Sequence, residues 1–276
     1  MAEEVQSFVL TALAQFHWDM SPEIIRLGPF PLRWYSLGWM SAFGVGFLLV
    51  RGMYRREGKP EKDLDAILLY MILGAIIGAR LGHCLFYRPG YYLTHPIEII
   101  AVWKGFSGLA SHGGTLGILV SLFIFSRKHP DQPYLWLLDR IVAPTALGGA
   151  FIRLGNLMNS EILGVPTDVP WAVVFTRVDA LPRHPAQLYE ALAYLSTFLI
   201  LFSLYRKKGP DLPRGMLTGI FFICVFGARF VIEFVKERHV PFTEGLPLSM
   251  GQMLSVPLIA LGVGVTWWAW RARRHA

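Results

Sequence analysis

The sequence predicts an all-α, polytopic integral membrane protein with seven transmembrane helices, and three observations predict it. Only 16% of the 276 residues are charged while 54% are hydrophobic, against roughly 25% charged in a soluble domain. A window of about 19 residues finds seven apolar stretches, at 34 to 54, 66 to 87, 112 to 126, 135 to 159, 186 to 205, 215 to 236 and 249 to 270. The Lys and Arg residues fall between those stretches and crowd alternate connections. A soluble enzyme does not fit the first observation. A nucleic-acid partner does not fit the third, because the net charge of +7 is not gathered on one soluble face.

Residues 1 to 33 read as an interfacial arm, with 5 to 16 as a helix lying in the membrane surface. Glu3 and Glu4 open the chain, and neither a basic segment nor a small-residue cleavage site precedes the first apolar run, so a signal peptide is not expected. Residues 34 to 270 form the seven-helix core. Its third span is the weakest, with a short apolar centre that reaches back into the Gly-rich stretch from Gly105 to Gly114. Residues 96 to 103 are too short to cross. The longest connection, 160 to 185, holds Pro166, Pro170, Pro182 and a β-like run from Trp171 to Phe175, which predicts a small folded loop. No linker divides the chain, so one membrane-embedded domain is expected over 1 to 276. Arg80-Leu81-Gly82-His83 is echoed by Arg153-Leu154-Gly155-Asn156, but four residues do not establish a duplication. Cys84 and Cys224 lie in apolar segments and read as small buried hydrophobes, with neither metal-ligand spacing nor a disulfide framework.

Orientation follows from the basic residues, which resist translocation. One side carries Arg55, Arg56, Lys59 and Lys62, then Arg127 and Lys128, then Arg206, Lys207, Lys208 and Arg214, then Arg271, Arg273 and Arg274. The other carries Arg26, Arg33, Arg88, Lys104, Arg177, Arg183 and Arg238. The N-terminus is therefore expected outside and the C-terminus inside, with the 160 to 185 loop outside.

An ionised side chain within a span costs at least a few kcal/mol, so those that persist face a protein interior or a wet cavity. Arg80, Arg153 and Arg229 fall in the outer thirds of three outward-running spans, Arg153 roughly 9 Å below the outer end at 1.5 Å per residue. Gln187, Tyr189, Glu190, Gln252 and Tyr35 enter at the same level on inward-running spans, joined by Glu161 and Glu233. Arg153 with Asn156 and Arg229 with Glu233 are spaced to share a helix face. Arginine's planar fork grips phosphate through paired hydrogen bonds, which suits an anionic phospholipid headgroup entering from the bilayer. His112, in Ser111-His112-Gly113-Gly114, is the candidate base, on a backbone whose glycines permit close approach. The bland alternatives are an arginine that snorkels to headgroups, an Arg229–Glu233 pair that only neutralises itself, and Trp34 and Tyr35 as interfacial belt aromatics.

These residues resemble the prolipoprotein diacylglyceryl transferases of bacterial membranes. The family signature looks like the run from Gly149 to Gly164, Gly-Ala-Phe-Ile-Arg-Leu-Gly-Asn-Leu-Met-Asn-Ser-Glu-Ile-Leu-Gly, with Arg153, Asn156, Asn159, Glu161 and Gly164 at the expected spacing. Further blocks agree in order: Arg80 to Tyr87, His112-Gly113-Gly114, His184 to Glu190, Arg229 to Glu233, and Ser249-Met250-Gly251-Gln252. The similarity runs from Tyr35 to the end of the seventh span. Departures are Ser111 before the histidine, a slightly long Gly105 to Gly108, the aliphatic Leu154 and Leu157, and Lys236 where an arginine would be the better fork.

The resemblance implies a bacterial inner-membrane enzyme with its active site near the outer leaflet. It moves the diacylglyceryl group of phosphatidylglycerol to the lipobox cysteine of a preprolipoprotein signal peptide, forming a thioether and releasing glycerol 1-phosphate. His112, Arg229 and Tyr35 would be catalytic, and Arg153, Asn156, Arg80, Glu161, Asn159 and Gly164 would bind the lipid. Gly113, Gly114, Gln187, Tyr189, Glu190 and Glu233 would orient them. No metal or cofactor is needed. Two rivals remain at this stage: an intramembrane serine protease, from Gly105-Phe106-Ser107-Gly108, and a lipid or anion transporter, which would also place charges in spans.

Overall fold

The computed structural model describes residues 16–100, 109–237 and 247–274. Eight α-helices carry the described chain: α1 (Trp34–Arg56), α2 (Lys62–Phe86), α3 (Pro89–Thr94), α4 (Ser111–Lys128), α5 (Tyr134–Asn159), α6 (Ala186–Lys208), α7 (Met216–Ile232) and α8 (Met250–Arg274). All seven apolar stretches are helical, with ends within a few residues of those read from hydropathy. Six of these helices, α1, α2, α5, α6, α7 and α8, are long and apolar enough to cross a membrane. The helix on the third stretch, α4, is not among them. Its 18 residues rise about 27 Å, slightly less than a hydrocarbon core of about 30 Å, and they include Ser111, His112, Arg127 and Lys128.

The chain divides into two compact units, one of Met1–Leu48 with Ile141–Ala276, the other of Leu49–Arg140. In the second, α2 and α4 pack through glycine. Gly74, Gly78 and Gly82 on α2 face Gly113, Gly117 and Ser121 on α4 so closely that a Cβ at Gly74 would lie 2.6 Å from the Gly117 carbonyl oxygen, and one at Gly82 2.8 Å from Gly113 Cα. Such small-residue spacing lets two backbones touch in lipid, where no hydrophobic effect drives helices together. Close approach at Gly113 is thus to a neighbouring helix. Gly114 likewise faces Ala75 and Ala79 of α2.

The turn after α1 closes with Gly58 at φ 64°. The Lys59 N–H donates to the Tyr54 carbonyl at 2.9 Å and the Gly58 N–H to that of Arg55 at 3.3 Å, which satisfies two carbonyls at the helix end. Beyond it lies a buried polar knot. Arg140 donates to both carboxylate oxygens of Glu57, at 3.0 and 2.7 Å, Trp136 Nε1 donates to Glu57 at 2.9 Å, and the Arg140 guanidinium lies 4.4 Å from the Trp136 ring centre. Tyr54 donates to Gln132, which donates to Asp63, each at 2.6 Å.

In the first unit the helices carry a small β layer that an all-helical reading omits. β1 (Phe16–Trp18) pairs parallel with β4 (Val173–Phe175), which pairs antiparallel with β5 (Pro182–Arg183), while β2 (Glu23–Leu27) and β3 (Phe30–Arg33) form a hairpin. β4 lies within the run expected from Trp171 to Phe175. The interfacial helix expected at 5 to 16 lies outside the described residues except for Phe16, which opens β1. Leu157, Leu163, Val173 and Phe175 form a buried cluster with Trp18 packed against it. The chain after α7 joins this layer: Val165 N–H donates to the Val235 carbonyl at 2.9 Å and Glu237 N–H to that of Leu163 at 3.1 Å.

Candidate active site

The signature run ends α5 and turns sharply after it. Ser160 and Ile162 hold left-handed backbone, φ 55° and 59°, which non-glycine residues adopt at a cost of order 1–3 kcal/mol. That turn folds Glu161 back towards the helix that precedes it. Asn156 donates to one Glu161 oxygen and Asn159 to the other, both at 3.2 Å. Gln187, wholly buried at the start of α6, donates to the Glu161 carbonyl at 2.5 Å. Arg153 Nη1 donates to Asn156 Oδ1 at 3.3 Å, so the spacing of three does place that pair on one face.

Glu190 is the hub. Its side chain is 2% exposed, with Oε2 2.9 Å from Arg153 Nε and Oε1 3.1 Å from Lys236 Nζ. Lys236 also lies 3.8 Å from Glu233. Arg229 and Glu233, four residues apart, form no ion pair among the described residues, so the alternative in which they only neutralise each other is not seen. The α-helix stops at Ile232 and Glu233 opens a tighter 3-10 turn, which breaks the four-residue register and hands the carboxylate to Lys236. Arg229 Nε is buried with no hydrogen-bond partner. Glycine makes room for Glu233, since a Cβ at Gly251 would lie 2.5 Å from its carboxyl carbon.

Gly164 is a position of contact rather than of unusual φ: a Cβ there would meet His184 at 2.5 Å and the Val235 carbonyl at 2.7 Å. Tyr189 accepts from Trp171 Nε1 at 2.7 Å, and its hydroxyl lies 3.1 Å from His184 Nδ1. Tyr35, at the start of α1, lies against Gly155, where a Cβ would come within 3.0 Å of it. Arg183 is held by Asp179 at 2.6 Å, and that contact keeps the Asp179 carboxyl below the usual carboxylate range.

The other two predicted groups belong to the second unit. His112 stands exposed in the first turn of α4. Arg80 donates to the carbonyls of Ile99 and Glu98 at 2.9 and 2.6 Å and lies 5.3 Å from the Tyr92 ring centre. That arrangement clamps the 3-10 turn Pro96–Ile99, a use of Arg80 that the sequence reading did not foresee. The Gly-x-Ser-Gly run at 105 to 108 lies outside the described residues.

Six apolar helices, with a built cluster of arginine, lysine and buried carboxylate at the ends of α5, α6 and α7, define a multi-pass membrane protein with a charged polar site. The family model for prolipoprotein diacylglyceryl transferase matches residues 22–268. The chain is 52% identical over 246 residues to a phosphatidylglycerol--prolipoprotein diacylglyceryl transferase of Chloroherpeton thalassium, covering 89% of this chain and 91% of that one. It is 48% identical to the protein of that name from Tolumonas auensis, over 89% and 94% of the two chains, and 44% identical to that of Bacteroides fragilis, over 91% and 94%. The chain belongs to the prolipoprotein diacylglyceryl transferase family.

Proposed function

We propose that the protein transfers the diacylglyceryl group of phosphatidylglycerol to the lipobox cysteine thiol of preprolipoproteins, the first step of bacterial lipoprotein maturation. The observation that carries the reading is the Arg153 chain. A guanidinium in ion-pair contact through Nε with buried Glu190 and hydrogen-bonded through Nη1 to Asn156 is a preorganised partner for a phosphodiester.

The reaction needs a thiolate, because a free cysteine with a pKa of about 8.5 is mostly protonated at neutral pH. His112 takes the thiol proton, and Tyr35 is assigned a catalytic role beside the signature helix, against Gly155. The sulfur attacks the glyceryl carbon that bears the phosphate; the C–S bond forms as the C–O bond breaks, and glycerol 1-phosphate departs with the bonding pair. Arg153 and Arg229 meet the charge that gathers on the leaving phosphate. Asn156, Asn159 and Glu161 hold the headgroup and Arg153, Gly164 keeps the loop close, and Gln187, Tyr189, Glu190 and Glu233 orient the cations. Gly113 and Gly114 seat the helix that presents His112.

We assign α4 as a seventh span, with the N-terminus outside, the C-terminus in the cytoplasm, and the charged cluster near the outer leaflet of the bacterial inner membrane. Support comes from the excess of Lys and Arg on the connections after α1, α4 and α6. Single cysteines at Gly58 and Ala180 in a Cys84→Ser/Cys224→Ser background test it. Ala180→Cys is expected to react with an impermeant maleimide in intact cells, and Gly58→Cys only after the membrane is opened. The reverse pattern overturns the orientation.

The activity is tested with purified protein, phosphatidylglycerol and a lipobox peptide in detergent, reading peptide mass. A gain of one diacylglyceryl unit is expected, absent when serine replaces the peptide cysteine. Arg153→Lys keeps the charge and loses the fork; about a 100-fold fall in kcat/KM, roughly 2.7 kcal/mol of transition-state binding, is expected. Folded wild-type protein that binds the lipid without modifying the peptide overturns the proposal.

A further inference from the structure

We propose that Lys236 is a positioning residue that keeps both Arg153 and Arg229 available to the substrate phosphate; this rests on the transferase reading above. Two carboxylates belong to this cluster, Glu190 against Arg153 and Glu233 four residues after Arg229 in the chain. Left to themselves, Glu190 and Glu233 would each close onto a guanidinium and compete with a phosphodiester for its donors. Lys236 is set between them. Its Nζ lies 3.1 Å from Glu190 Oε1 and 3.8 Å from Glu233 Oε2, and its side chain is 12% exposed.

The geometry divides the labour. Glu190 accepts from Lys236 through Oε1 and faces Arg153 Nε with Oε2 as an ion-pair contact at 2.9 Å, so only the rear edge of the Arg153 guanidinium is held through that carboxylate. Glu233 Oε2 lies 3.8 Å from Lys236 Nζ, too far for a hydrogen bond, and makes no ion pair with Arg229; Glu233 Oε2 and Arg229 Nε are both buried without a hydrogen-bond partner. A buried unpaired donor is costly, and it marks where an acceptor from outside the chain would be taken up. Backbone pairing fixes the cation at this point. Lys236 forms an isolated β-bridge with Gly164, flanked by the Val165–Val235 and Glu237–Leu163 hydrogen bonds. The last glycine of the signature run and the lysine are thus locked in register, and the ammonium cannot drift towards headgroups as a surface lysine would.

The role needs a cation and not a particular shape, because Lys236 acts on the carboxylates and touches no reacting atom. With that charge removed, Glu190 and Glu233 turn to the arginines and the lipid must displace them. In the detergent assay, Lys236→Met is expected to raise KM for phosphatidylglycerol about 10- to 100-fold, with kcat changed less than about fivefold. Lys236→Arg is expected to hold KM within about threefold of wild type. A second change, Lys236→Met with Glu233→Gln, is expected to recover part of the lost KM by removing the competing charge, which a merely structural lysine would not do. If Lys236→Met is not recovered folded, Lys236→Gln is read by the same criteria. An unchanged KM in the neutral variants, or equal damage from Lys236→Arg, overturns the proposal. Wild-type protein that transfers nothing overturns the transferase reading instead, so the two failures are distinct.

Discussion

Removing Arg140 from the buried knot of the second unit is expected to be among the most damaging single changes outside the charged site. Its side chain is 2% exposed and that of Glu57 5%, with guanidinium and carboxylate joined by hydrogen bonds of 3.0 and 2.7 Å. At that separation and an effective dielectric of about 20 the gross attraction is about 6 kcal/mol. Desolvation of both charges offsets most of it while the pair is intact. Arg140→Met keeps the desolvation cost of Glu57 and loses its compensation, which is expected to lower stability by about 3–5 kcal/mol. Glu57→Leu/Arg140→Met removes both charges and is expected to be more stable than the single variant, the remaining deficit of about 1–3 kcal/mol coming from the Trp136 Nε1 donor that loses Glu57. The assay is unfolding by sodium dodecyl sulfate in mixed micelles, followed by tryptophan fluorescence, to which Trp136 inside the knot contributes. A single variant losing under 1 kcal/mol, or a double variant as unstable as the single, would refute the assignment of the knot as a charge-compensated pair.

Three further outcomes are expected. Ser249→Ala removes the hydroxyl that accepts from the Gln252 N–H at 3.2 Å while Gln252 accepts from the Ser249 N–H at 2.9 Å; loss of this reciprocal cap should cost about 1 kcal/mol in the same unfolding assay. Gly78→Ala puts a methyl group 2.7 Å from Gly117 Cα, inside the 3.5–4.0 Å of ordinary carbon contact, and should cost about 1–3 kcal/mol as α2 and α4 separate. Asp179→Asn should destabilise the loop at pH 7 and lose its effect in acid. The Arg183 contact depresses the folded carboxyl, so its stabilisation is full above the unfolded value of about 3.9 and vanishes as pH falls through the folded value. Proteolysis of the 176–183 segment at the two pH values reads this directly.

Hydropathy located every long helix, because a span must be apolar over its whole length and that demand survives without knowledge of any contact. The Arg153–Asn156 pairing was equally legible, since it depends only on helical spacing. What escaped notice depended on partners far along the chain or on local turn geometry. β1 has three residues and no periodicity, and only its partner at Val173–Phe175 makes it a strand. The hold of Arg80 on the carbonyls of Glu98 and Ile99 leaves no mark in side-chain identity. Gly113 was read towards a ligand, although its spacing to Gly117, matched by Gly74, Gly78 and Gly82, is the pattern of two helices in contact. The spacing of Arg229 and Glu233 suggests one helix face, but the α-helix ends at Ile232, one residue short of Glu233. Ser249-Met250-Gly251-Gln252, matched above only as a family block, has the spacing of the capping box that its reciprocal bonds form.

The parallel pairing of β1 with β4 also bears on the order in which the protein is made. Trp18 accepts from the Thr176 hydroxyl, a contact between residues 158 positions apart. At a synthesis rate of about 5–20 residues per second, on the order of 10 s separates the two partners as they leave the ribosome. During that interval the first strand has no edge to join, and Trp18 has no cluster to rest against. The layer behind the signature turn is therefore assembled late, after α5 has been made and its final turn can be held in place. A nascent chain halted before residue 173 would carry Arg153 and Asn156 but lack Glu190 and Lys236, and the cation site would remain unbuilt until α7 had followed.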